Sequence, residues 1–290
     1  MRREGLTVTM IFLAESANYG EGVGNITTLK KLSRGNYEQY SYISRQALRY
    51  NIVRQLSWDN TPVDEKSGVV QFAPSATIEE YPEIDLFGYM KTTKEGDQKG
   101  GASTRSAVVR LSNAVSLEPY QSDMEFLTNM GLAKRKNVGN AIAQSEIQRS
   151  LYSYTISVDL DRVGKDGEFE IAEEEKADRV SKLLDAIHYL YRDIKGRREN
   201  LAPIFVIGGR YERKNPFFEN RIRVEKNCLN TAPLKEIMNE EEQIREHTFA
   251  GVMAGMLENE EEIRKELGAG TVGEAFSRLK KEVKDYYEGH

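Results

Sequence analysis

The run LYSYTISVDL, residues 151–160, decides the fold. Its Tyr, Thr, Ile and Val content and its alternation make it the clearest strand in the chain. A helix follows over 173–195, where Ala177, Val180, Leu184, Ile187, Tyr191 and Ile194 recur at helical spacing and offer one apolar stripe to a sheet. Glu173, Glu174 and Glu175 open it, and Lys195, Arg197 and Arg198 flank its end, with Gly196 as the stop. Both charge biases suit the helix dipole. Residues 202–207 read as a buried strand, broken by Gly208-Gly209 and followed by the loop YERKNPFFEN, 211–220.

Upstream, LTVTMIFLA (6–14) reads as a strand, and the glycine-rich ESANYGEGVGNITT (15–28) as a loop. The first helix spans 44–56. Residues 57–104 are irregular, punctuated by Pro62, Pro74 and Pro82, with strand-like runs at 68–72 and 84–90. KTTKEGDQKGGAST (91–104) has no apolar anchor and is expected to be a mobile loop. TRSAVVRLSNAV (104–115) reads as a strand, and 116–150 as mixed and partly helical. The last 60 residues read as two or three amphipathic helices, the final one opening with Thr271 and Glu274 at capping-box spacing. There is no internal repeat. The order is β-α-β-β-α-β with a large insertion at 57–150. That predicts an α+β fold with a ferredoxin-like core, compatible with a modified RNA-recognition-motif (RRM-like) sheet. Many unrelated functions share that arrangement.

Composition narrows the field. The chain has 290 residues, 39% hydrophobic and 30% charged, which fits a soluble globular protein. No apolar run is long enough to span a membrane. The N-terminal strand lacks the cleavage pattern of a signal peptide. The single cysteine, Cys228, excludes an intramolecular disulfide and fits a cytoplasmic setting. His188, His247 and His290 are scattered and predict no metal site, and no cofactor is expected.

The net charge of −5 is unevenly spread. Residues 1–150 hold 18 basic and 17 acidic side chains, and 151–290 hold 23 and 29. Within the first half, 27–57 carries Lys30, Lys31, Arg34, Arg45, Arg49 and Arg54 against Glu38 alone. A basic island in an acidic chain is an electrostatic footprint for a polyanion. Arg45 and Arg49 are four apart and share a helix face, with Ser44 placed to cap. Two guanidinium forks beside free helix N–H groups suit a phosphate. The plainer reading is a solvated basic helix.

NYGEGVGN after the first strand, SRQALRYNIVRQL, TRSAVVRLSNAV and NPFFENRIRVE, in this order, resemble the backbone subunit of Cascade-type CRISPR interference complexes. The closest branch is similar to the type I-B group, or DevR family, of the RAMP superfamily. SRQALR is its most specific piece, and the resemblance covers nearly the whole chain. It implies a cytoplasmic, non-catalytic protein with a hand-like, modified RRM-like fold. Copies polymerise head-to-tail along a guide RNA (crRNA), present it for pairing with target DNA, and meet other subunits of the effector complex. A β-hairpin thumb from one copy folds over the RNA held by the next. Divided on this pattern, 1–56 and 151–290 form the palm with C-terminal helices, 57–150 an inserted finger-like region, and 208–224 a candidate thumb loop.

The resemblance places RNA contacts at Ser44, Arg45, Gln46 and Arg49. Asn18, Tyr19 and Asn25 lie in the glycine loop, where backbone N–H groups approach phosphates closely. Lys30, Lys31 and Arg34 are placed to track the RNA backbone. In the thumb candidate, Arg210 and Lys214 accompany Phe217 and Phe218, a basic and aromatic mixture suited to wedging a base. The competing reading buries both rings. The alternative thumb is 91–105. Related subunits of type III complexes cut RNA with an aspartate in the loop after the first strand. Residues 14–28 hold Glu15 and Glu21 but no aspartate, and no Ser-His-Asp order appears. The second function class is an RNA-processing endoribonuclease of the same superfamily. A third, a transcriptional regulator, rests on the family name alone.

Overall fold

A computed structural model of the chain describes residues 3–35, 37–66, 68–93 and 101–289. At its centre is β1, Gly5–Ala14, buried along nearly its whole length. Helix α1, Arg45–Gln55, leads by way of 57–108 to the short strands β2, Val109–Leu111, and β3, Ala114–Ser116. Strand β4, Ser150–Asp159, is followed by α2, Glu173–His188, and then β5, Phe205–Tyr211. Strand β6, Thr248–Val252, and helix α3, Val272–Glu288, complete the frame. The central sheet runs β6–β5–β1–β4–β3 and continues through Gln39–Ile43 to Lys31–Ser33, with β2 also on β4. Every pairing in it is antiparallel.

Alternation along the strands builds a core on each face. On one face Leu6, Val8, Met10 and Phe12 of β1 join Tyr152, Tyr154 and Ile156 of β4 beneath the three helices. Leu48 and Ile52, Val180 and Leu184, and Phe276 and Leu279 are the helices' buried contributions. On the other face Ile11, Phe205 and Ile207 pack with Phe218, Leu234, Ile244 and Ile263. Toward β4 this second face is polar: Thr9 and Thr155 share a hydrogen bond of 2.8 Å, and Thr7 and Ser157 one of 3.3 Å.

Several sequence expectations are corrected. The helix expected over 173–195 stops at His188, and Tyr191–Ile194 pairs with Arg197–Asn200 as a hairpin. Tertiary bonds outweigh the helical repeat: Arg192 is buried, bonded to Glu199 at 2.7 Å and to the carbonyls of Ser16 and Ala17. Gly208-Gly209 does not break β5. A Cβ on Gly208 would lie 2.2 Å from the Thr7 oxygen, and one on Gly209 1.8 Å from that of His247. These glycines permit close strand approach. The 15–28 loop holds a hairpin, Tyr19–Val23 with Ile26–Leu29, turning at Gly24 with φ +62°. Where a strand was expected over 84–90, Pro82–Phe87 is a helix with Pro near its start. The 104–115 strand is broken at 106–108 and again at Ser112-Asn113: Gly101–Arg105 pairs with Tyr89–Thr93, and β2 and β3 of the 57–150 range lie in the central sheet. Residues 231–289 hold four helices rather than two or three, three of them of six to eight residues and the last, α3, of 17, and the Thr271–Glu274 capping box is present. The run 94–100 of the expected mobile loop lies outside the described residues.

Candidate nucleic-acid interface

The start of α1 is capped from three sides. Ser44 Oγ accepts from the Ala47 N–H at 3.3 Å, Asn18 Oδ1 from the Ser44 N–H at 3.2 Å, and Asn113 Oδ1 from the Arg45 N–H at 2.9 Å. Caps of this kind satisfy the donors a helix leaves open. The expectation of free N–H groups here is thereby corrected for Arg45 and Ala47, whose N–H groups are engaged. Arg45 and Gln46 remain exposed side chains at the same place. Arg49 is tethered within the chain. Its guanidinium lies 5.0 Å from the Phe87 ring centroid and 3.4 Å from Glu83, joining α1 to the 82–87 helix. The expected pair of forks is therefore one open arginine and one tethered.

The glycine-loop residues act mainly as joints. Tyr19 donates its hydroxyl to the Glu146 carbonyl at 3.1 Å, and Asn25 Nδ2 donates to the Ile142 carbonyl at 3.3 Å. Lys31 Nζ is 2.8 Å from Glu146 and 4.3 Å from the centroid of the Tyr120 ring. Burial alone would raise the Glu146 pKa, but hydrogen bonds from Lys31 and the Leu29 N–H outweigh it and hold the carboxyl below its usual range. These bonds fix the 19–29 hairpin to an arm of Asp123–Thr128, Met130–Lys136 and Ile142–Ile147, with which it forms a four-stranded sheet. The arm exposes Phe126, Leu127, Leu132 and Val138 at 56–68% and carries Lys134, Arg135 and Lys136 in one short helix. Lys30 is half-buried beside Gly20 and has no ion-pair partner among the described residues.

A cleft of about 400 Å³ opens on the polar side of the sheet. Ser112, Asn113, Ser153 and Thr155 line its sheet side, with Arg34 and Arg223 also lining it. A neighbouring cleft of about 380 Å³ shares both arginines. Arg34 stacks over Tyr40 at 4.3 Å. Neither arginine is ion-paired among the described residues. Asn113 both lines the cleft and caps α1, so the cleft and the start of α1, where Arg45 is exposed, share one residue.

The 208–224 segment is corrected as a base wedge. Phe218 is fully buried in the second core, and Phe217 packs edge-on against Tyr211 at 5.0 Å. Arg210 bridges Glu4 and Glu282, and Lys214 is paired with Asp161, so both cations are internally neutralised. The alternative thumb at 91–105 also has its end cations in use: Lys91 donates to the Ala76 carbonyl and Arg105 pairs with Asp85. Phe218→Ala should cost about 3–5 kcal/mol, the usual penalty for emptying a buried phenylalanine site. Phe217→Ala, at a partly buried ring, should cost clearly less. Paired thermal melts check this, and equal costs would contradict the packing described.

The model of the family described as CRISPR-associated negative auto-regulator DevR/Csa2 matches residues 6–228. The chain belongs to this family. A protein of Myxococcus xanthus (strain DK1622), described as CRISPR-associated protein Cas7/Cst2/DevR, is 31% identical over 122 residues. That match spans 38% of this chain and 40% of the relative's length. Among solved structures, a chain of a CRISPR RNA-guided surveillance complex aligns with TM-score 0.59 at 13% identity, covering 98% of this chain and 99% of its own. A second, from such a complex in a pre-nicking state, gives 0.56 at 11%, covering 87% and 93%. At these identities the structural matches establish the shared mixed α+β fold.

In this DevR/Csa2-family chain the surface includes residues that sequence reasoning left out of the site. Asn113 stands inside the quoted TRSAVVRLSNAV, where the Ser-Asn pair after an apolar run was the available sign of a break. Arg223 lay within the thumb candidate, and nothing local separated it from the neutralised Arg210.

Proposed function

We propose that this chain is a guide-RNA-binding backbone subunit of a CRISPR surveillance complex, binding RNA largely without regard to sequence. The observation that carries the reading is the cleft that holds the open Arg34 and Arg223 with Ser112, Asn113 and Ser153, its Asn113 also capping the start of α1 beside the exposed Arg45. Its open cations and neutral hydrogen-bonding groups are the chemistry that grips phosphates and sugars. Membership of a CRISPR-associated family and the likeness to chains of RNA-guided complexes support it. On this reading the central sheet is a modified RRM-like palm in a cytoplasmic protein, and part of 57–108 forms the finger-like side. Target DNA reaches the protein through pairing with the guide. The arm at 123–147 takes the thumb role in place of 208–224, because its apolar and basic side chains are exposed. Copies then assemble head-to-tail on RNA, next to other subunits of the complex.

The test is fluorescence anisotropy with a single-stranded RNA of mixed sequence across salt concentrations. Phosphate contacts release counterions, so the logarithm of affinity should fall with the logarithm of salt by about 0.7 per contact. Arg45→Ala combined with Lys30→Ala should flatten that slope by one to two such steps while leaving the melting temperature nearly unchanged. Binding that ignores salt would refute the reading. The endoribonuclease alternative is checked in the same tubes, by looking for discrete RNA products with magnesium and with EDTA.

A further inference from the structure

Phosphate binding does not account for one wall of the 400 Å³ cleft. Glu219 lines it, together with Asn220 and opposite the sheet. The residue is half-buried, and no partner for its carboxylate is seen among the described residues. Burial pushes its carboxyl pKa up. A carboxylate beside a phosphate track repels it, so a groove serving the RNA backbone alone would bind better without it. The cleft has instead the mixed polarity of a nucleotide: Arg34 and Arg223 for an anion, neutral Ser112, Asn113 and Ser153 between, and an acceptor at Glu219. Its volume is within the range of small-ligand sites.

We propose that the cleft holds one nucleotide of the bound RNA, its phosphate on Arg34 and Arg223 and a hydrogen-bond donor of its nucleoside on Glu219. The proposal rests on the guide-RNA reading and adds a contact beyond the RNA backbone at each subunit. Ribose hydroxyls and the exocyclic amines of bases both supply such a donor.

Anisotropy titrations of the parent protein, Glu219→Gln and Glu219→Ala test it, with mixed-sequence RNA, oligouridine and single-stranded DNA as probes. Losing a hydrogen bond to a charged group should weaken mixed-sequence RNA binding about tenfold in Glu219→Ala. If a ribose hydroxyl is the donor, the loss persists on oligouridine and vanishes on DNA. If an amine is the donor, it persists on DNA and vanishes on oligouridine. Unchanged or tighter binding by both variants, with melting temperatures intact, overturns the proposal, because Glu219 is then only a repelling neighbour. In that event the Arg45 and Lys30 losses stand and the guide-RNA reading survives. Failure of the parent protein to bind RNA removes both. Should Glu219→Ala unfold, Glu219→Met, which keeps the bulk without a strong acceptor, carries the same comparison.

Discussion

Asp85→Ala should be among the most damaging single substitutions in this protein, lowering stability by about 3–5 kcal/mol. Asp85 is fully buried. Its carboxylate lies 2.6 Å from Arg105 and 3.0 Å from Arg179, and accepts from the Gly164 N–H at 2.9 Å. Both guanidiniums are nearly sealed from water, with side-chain exposures of 4% and 2%. Removing the carboxylate leaves two buried charges with only the half-exposed Glu175, 2.9 Å from Arg179, and Asp166, 3.8 Å from Arg105, to balance them. Arg179 also donates to the carbonyls of Ile78 and Glu79, so the cluster fastens the 57–108 insertion to α2. The same insertion carries Glu83 and Phe87, which hold Arg49. Thermal denaturation should show a fall of order 10 °C. A fall of under 2 °C would mean that water or rearrangement neutralises the arginines. Replacing all three residues with apolar side chains of similar volume should restore much of the loss, since a buried ion cluster contributes little net stability over a packed apolar one.

The triple variant Leu127→Asp, Leu132→Asp, Val138→Asp should fold normally and fail to assemble on RNA. All three side chains are more than half exposed, so their replacement should shift stability by no more than about 0.5 kcal/mol each. If the arm seats against the neighbouring copy, each new carboxylate is buried without a partner. A penalty of about 3 kcal/mol corresponds to a hundredfold weaker contact between copies, enough to abolish filaments at micromolar concentration. Light scattering with RNAs of increasing length should show particles that grow with RNA for the parent protein and not for the variant. Equal growth for both would take the arm out of the assembly contact and return the thumb to another part of the chain.

The core of the fold was legible because strand alternation and helical spacing are local properties. Residues 6–14 and 151–160 had to pair somewhere, and the stripe from Ala177 to Ile187 had to cover them. SRQALR marked a helix whose start carries polar and basic groups, and Ser44 does cap it. The errors fall where a distant partner overrules the local signal. Tyr191 and Ile194 continue the helical repeat, yet Arg192 is drawn into the loop after β1 and the chain turns back as a hairpin. Gly208-Gly209 has the composition of a break, yet β5 passes straight through because its neighbours come too close for a Cβ.

Charge shows the same division. The sequence by itself determined that 27–57 is basic, that α1 begins beside Arg45, and that an α+β sheet lies behind it. It could not determine which cations are open. Arg49, Arg210 and Lys214 look no different from Arg34, Arg45 and Arg223 in the chain. Only the tertiary structure placed Glu83, Glu282 and Asp161 against the first three and left the second three without an ion pair among the described residues. The physical reason is that a carboxylate's effect on a cation depends on separation in space. Glu282 meets Arg210 across 72 positions of sequence, a distance that no local pattern encodes.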